Sequence, residues 1–135
     1  MKKLLLIAMS IFLVSVSVFP QNEDPYVDHY TKINKALNVG NVDVISQYFS
    51  SSVDLSVLDK EGIYSASQAK NILKDFFGKN KAEKYVMLHF SGKGNSRYYI
   101  GTLTTKTGDY RVFYVLKNTV KIPEITQFRI EKKTH

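Results

Sequence analysis

The chain has 135 residues, a formal charge of +7 from 19 Lys+Arg against 12 Asp+Glu, and neither cysteine nor tryptophan. That length fits one domain and excludes a barrel enzyme or a two-domain enzyme of ordinary size. Without cysteine there is no disulfide framework, thiolate metal site or Cys nucleophile, and 44% apolar with 23% charged residues describes a globular chain.

Lys2 and Lys3 precede an apolar run, Leu4 to Val14, followed by Ser15-Val16-Ser17, Val18-Phe19-Pro20 and the polar Gln21-Asn22-Glu23-Asp24. A basic lead, a short apolar stretch and small residues at a cleavage position describe a secretory signal peptide over residues 1–20. The run is shorter than the ~20 apolar residues that span a bilayer core, and the two lysines keep its start on the cytoplasmic side. Cleavage is expected after Ser17, or nearer Gln21; the alternative is an uncleaved N-terminal anchor. Residues 21–135 then form a single exported domain, periplasmic or secreted. No other segment could span a membrane once the signal is removed. Loss of Lys2 and Lys3 lowers the excess positive charge from seven to five.

Helical spacing begins after Pro25, with Val27, Tyr30, Ile33 and Leu37 on one face. Gly40 suits the left-handed position that closes the helix, and Asn41 can cap a second one carrying Val42, Ile45 and Phe49. Ser50-Ser51-Ser52 ends it. Val53 to Val57 alternates as a strand with one buried face; Asp59 to Gly62 turns, and Ile63-Tyr64 begins the return. Ser65 and Gln68 have capping-box spacing and open a third helix with Ala69, Ile72, Leu73, Phe76 and Phe77 inward.

Extended segments follow at Tyr85–Phe90, Arg97–Thr105, Tyr110–Lys117 and Ile122–Glu131, joined by short turn sequences. Such connections imply an antiparallel meander. Arg111 to Leu116 is apolar on both faces, so that strand is expected centrally, covered by helices on one side and by a second subunit on the other. The order is α+β: three N-terminal helices packed on a curved antiparallel sheet.

This order resembles the nuclear-transport-factor-2-like superfamily, and its motifs are similar to those of a family of small exported bacterial proteins of unknown function within it. The motifs are Gly40-Asn41, Tyr48-Phe49, Val53-Asp54-Leu55, Gly62-Ile63-Tyr64-Ser65 with Gln68-Ala69, and Phe76-Phe77. Tyr99-Ile100-Gly101 with Leu103, Tyr110-Arg111 and Arg129-Ile130-Glu131 complete the set, which spans about residues 26–131. The resemblance implies a sheet curled into a cone closed by helices, and an exported compartment, but no activity. Fold alone assigns none.

Some superfamily relatives are isomerases and dehydratases that use Asp, His and Tyr inside the cone. Such chemistry needs a base set against an oxyanion donor in a dry pocket. The residues that could line one here are Tyr48, Tyr64, Phe76, Phe77, His89 and Tyr114. Alternation groups His89 with Tyr85 and Met87, away from Val86, Leu88 and Phe90, on the more polar, outer face. A hydrogen-bonded or partly exposed strand histidine is the simpler reading of it. Asp54 is out of phase with Val53, Leu55 and Val57 and is expected toward solvent. No His-Asp pair matches the enzymatic relatives. His29, His89 and His135 lie too far apart in sequence to form a helical ligand pair, and His29 reads as ordinary helix surface. The glycines of residues 92–96 lie between strands, not before a helix.

Neither a metal nor a cofactor is called for, and no catalytic residue is assigned. The lysines between Asp59 and Lys84 are interleaved with acids, which describes a solvated face rather than a nucleic-acid stripe. The expectation is therefore a non-enzymatic exported binding or interaction module. A homodimer through the sheet is expected around Tyr98, Tyr99 and Phe113, with an apolar small molecule or an envelope component as further partners. The alternative is a small cone-pocket enzyme acting on an apolar ligand.

Overall fold

The structure is a computed structural model and describes residues 26–134 together with Ser15, which is exposed. The expected signal peptide, Ser15 apart, and His135 lie outside the described residues. The elements run α1 (Val27–Val39), α2 (Val42–Ser46), β1 (Phe49–Val57), β2 (Lys60–Ser65), α3 (Ala66–Lys79), β3 (Ala82–Lys93), β4 (Ser96–Thr105), β5 (Gly108–Lys117) and β6 (Glu124–Lys132). No described helix is long and apolar enough to cross a membrane.

Local chemistry sets the helix boundaries. Gly40 closes α1 at φ 71°, a left-handed conformation that an L side chain resists, and a Cβ there would meet Phe77 Cδ1 at 2.9 Å. Asn41 caps α2 by accepting from the Val44 N–H. Ser65 and Gln68 form a reciprocal capping box at the start of α3. Asp43 on α2 meets Lys70 at 3.1 Å and Lys74 at 3.6 Å, tying α2 to α3. The hydrogen bond and charge of Lys70, with the charge of Lys74, hold the Asp43 carboxyl below its usual range.

The six strands form one sheet in the order β2-β1-β6-β5-β4-β3. The antiparallel meander holds across β3 to β6, and β5 is internal, as its apolar composition requires. The junction between β1 and β6 is parallel, an exception to the expected antiparallel sheet. It also alters the second helix. The sequence spacing sets Phe49 with Ile45 on one helix, but α2 ends at Ser46 and Phe49 opens β1 opposite Ile125.

One face of the sheet carries the helices and the core. Leu55, Leu103, Val112, Leu116, Ile125 and Phe128 point into it, fully buried, against Ile33, Leu37, Ile45 and Leu73. Burial of large apolar side chains at about 1.5–3 kcal/mol each supplies the main driving force. The other face of the sheet is open to solvent and carries no helix.

Candidate functional site

The interior beneath α1 is built from tyrosines. Tyr99 on β4 and Tyr114 on β5 are cross-strand partners, stacked with ring centroids 4.9 Å apart. Tyr30 of α1 packs on Tyr99 at 5.3 Å, and Phe128 on β6 continues the stack beside Tyr114. The Tyr114 hydroxyl donates to Asn34 Oδ1 at 2.8 Å. Tyr85 on β3 lies flat over Gly101, where a Cβ would fall 2.4 Å from its ring, and its hydroxyl is buried without a hydrogen-bond partner. The Tyr85 backbone N–H donates to Asn38 Oδ1, so α1 satisfies part of the free edge of β3.

Burial pushes the Tyr114 and Tyr85 phenols well above the ordinary tyrosine range, and neighbouring tyrosines push Tyr114 further. Both stay protonated at working pH. They can donate a hydrogen bond but cannot act as a base. Tyr48, raised by burial in the same direction, lies 3.0 Å from His29 Nδ1 with the two rings edge to face. His29 is thus half-buried against Tyr48 rather than on ordinary helix surface. No carboxylate approaches this pair within ion-pair distance among the described residues.

The six residues expected to line one pocket do not converge. Phe76 is 3% exposed and packs edge to face on Tyr110 and Phe77. Phe77 borders a surface groove with Gly40 and Lys74. Tyr64 lines a separate open groove of about 520 Å³ between β2 and α3, with Lys60, Gln68 and Ile72. Tyr48 and Tyr114 are buried in the core.

His89 is exposed on the open face. A bulge explains why its expected grouping fails: Met87 opposes Gly101 while His89 opposes the next residue along, Ile100, leaving Leu88 extra. The alternation reverses there. Tyr85 and Met87 face the core, His89 faces out, and Phe90, though 58% exposed, returns to the helix-bearing side and stacks on Tyr99.

The interface residues divide as well. Tyr98 and Phe113 lie on the open face and stack on each other at 6.2 Å. Tyr99, one residue from Tyr98, faces the core and is 1% exposed, so it is removed from that surface. Around the stack lie Val86, 40% exposed, the half-buried Ile100 and the buried Val115. Arg111 and Glu131 are cross-strand neighbours at the rim. Asp54 is also on this face, half-buried beside Ile63 and Gln127.

Comparison with known proteins places this geometry. A protein of the same domain family from Bacteroides ovatus is 28% identical, with a TM-score of 0.73 over 77% of this chain and 94% of its own. A second, from Bacteroides fragilis, is also 28% identical, with a TM-score of 0.71 over 76% of this chain and 96% of its own. An NTF2-like protein from Cytophaga hutchinsonii shares the fold at 10% identity, with a TM-score of 0.61 over 82% of this chain and 97% of its own. No curated protein matches the chain. The match to the domain of unknown function DUF4783 covers residues 30–131. The chain belongs to the DUF4783 family, and its fold is NTF2-like.

Proposed function

We propose that the protein is an exported, non-enzymatic interaction module that pairs with a second copy of itself through the open face of its sheet. The carrying observation is the Tyr98–Phe113 stack, an aromatic pair set out on the face that no helix covers. Val86, Ile100 and Val115 extend it into an apolar band. Arg111 and Glu131, opposite in sign and side by side at the rim, offer both charges of an ion pair to a second copy, as an isologous contact can use. A stable pairing needs about 800 Å² from each partner, which a face four strands wide can provide.

The packed interior supports the non-enzymatic reading. Its buried Tyr85 and Tyr114 hydroxyls are held as protonated donors, and His89, the histidine among the pocket candidates, is exposed on the opposite face. Light scattering at high micromolar concentration tests the pairing. A dimer is expected for the native chain, and Phe113→Glu should convert it to monomer without unfolding it. A strict monomer for the native chain removes the dimer claim.

A further inference from the structure

Four strand ends and the start of α1 meet at one end of the sheet. There the β3–β4 turn, Gly94 and Asn95, lies beside the longer β5–β6 connection, residues 118–123. The two are joined by the Asn118 N–H donating to the Asn95 carbonyl at 2.8 Å. The β5–β6 connection is held by its own side chain. Thr119 Oγ1 donates to the Ile122 carbonyl at 2.7 Å and accepts from the Lys121 N–H at 3.2 Å. This turn holds Val120 at its apex, 105% exposed, with Ile122 43% exposed behind it. A fixed turn that presents valine and isoleucine to water is unusual, because such apices favour polar residues or glycine.

The charge around this tip is mostly of one sign. Lys93, Lys117 and Lys121 are all exposed there. Arg97 is committed elsewhere, with its guanidinium 4.6 Å over the Tyr26 ring and a hydrogen bond to the Gly94 carbonyl. The described acids at this end are Glu124, half-buried opposite Lys117, and Asp28 in the first turn of α1. At the opposite end, by contrast, Asp59, Asp75, Glu83 and Asp109 are mixed among the lysines.

The chain also enters the domain at this end. The Tyr26 hydroxyl donates to the Asn95 carbonyl at 2.7 Å, which fixes the start of α1 beside the two turns. Residues 1–25, with the apolar run Leu4 to Val14 and the acidic Glu23 and Asp24, therefore join the domain here.

We infer that this end of the domain docks on an anionic lipid bilayer, with Val120 and Ile122 entering the headgroup layer and Lys93, Lys117 and Lys121 facing its negative charge. An apolar tip ringed by lysines matches what an interfacial anchor requires. Lys93 and Lys117 share the face of Tyr98 and Val115 but lie at its end, beyond the aromatic stack, and the inference needs neither Tyr98 nor Phe113, so it can fail or hold without the pairing proposed above.

The lack of native tryptophan supplies the test. In the full chain, Val120→Trp introduces the only tryptophan, and its emission is read with vesicles of phosphatidylcholine alone or with added phosphatidylglycerol. A blue shift is expected only when phosphatidylglycerol is present. Joint replacement Lys93→Gln, Lys117→Gln and Lys121→Gln should raise the anionic lipid needed for half the shift on the order of 100-fold. Val39→Trp, at the far end of α1, should not respond. The inference is overturned by no shift, by equal shifts in both vesicles, or by no effect of the three lysines. A response at Val39→Trp, or an equal shift with soluble dextran sulfate, overturns it too, the latter pointing to a polysaccharide.

Discussion

Leu58 is the one non-glycine among the described residues with positive φ, at 56°, in the two-residue turn between β1 and β2. Its N–H donates to the Ile130 carbonyl at 3.0 Å, which holds the turn against β6. A left-handed conformation costs an L residue about 1–2 kcal/mol, and glycine returns about 0.5–1 kcal/mol of that in backbone entropy. Leu58→Gly should therefore stabilise the domain by about 0.5–1 kcal/mol, read from the urea midpoint at unchanged slope. The buried phenols give a second residue-scale expectation. Their folded-state pKa values lie above the unfolded value of about 10, so the stability they contribute is complete below pH 10. Above it the unfolded chain sheds protons that the folded chain retains, and stability falls by about 1.4 kcal/mol per pH unit for each of Tyr85 and Tyr114. Tyr114→Phe should flatten that alkaline slope in denaturation titrations. It also leaves Asn34 Oδ1 without its donor, at a cost of about 1 kcal/mol at neutral pH.

At the scale of elements, Asn80 joins three segments. Its Nδ2 donates to the Phe76 carbonyl at 2.9 Å, and its Oδ1 accepts from the Tyr110 hydroxyl at 3.1 Å and from Thr107 Oγ1. It ends α3 and receives the β4–β5 turn. Asn80→Ala leaves the Phe76 carbonyl its bond from the residue-80 backbone N–H but removes the acceptor shared by the Tyr110 and Thr107 hydroxyls, so a loss of about 1–3 kcal/mol is expected, measurable as a lower thermal midpoint. The elements also show what the sequence could display. Ser65 with Gln68, and Gly40 with Asn41, signal helix ends through chemistry local to a few residues, and these were legible. The internal place of β5 was legible too, because Arg111 to Leu116 is apolar on both faces. Phe49 was not, because its spacing from Ile45 satisfies a helix and only pairing with Ile125, far along the chain, makes it a strand. The bulge at Leu88 carries no glycine to announce it, so His89 fell into the wrong phase. The contact of His29 with Tyr48 depends on how two helices meet and leaves no pattern in either. Tyr99 was assigned by its neighbour Tyr98, although adjacent strand residues point to opposite faces.

For the whole molecule, the family and the cone fold were legible from the order of short motifs, whereas the function was not, since those motifs are turns, caps and core positions. The export proposed here has a direct measurement. Intact mass of the protein from an envelope or culture fraction should correspond to a chain beginning after Ser17 or near Gln21. A chain retaining Met1, Lys2 and Lys3 would instead mark an anchor. The parallel ladder between β1 and β6 has a consequence for the order of assembly. It is the sole seam between the first hairpin and the meander, and its two strands are separated by most of the domain. Until residues 124–132 are available, the sheet is two unconnected pieces and the core lacks Ile125, Phe128 and Ile130. Closure across so long a loop is slow, so a newly made chain lingers in an extended state. A translocon that threads only unfolded chains would find it in the form it requires.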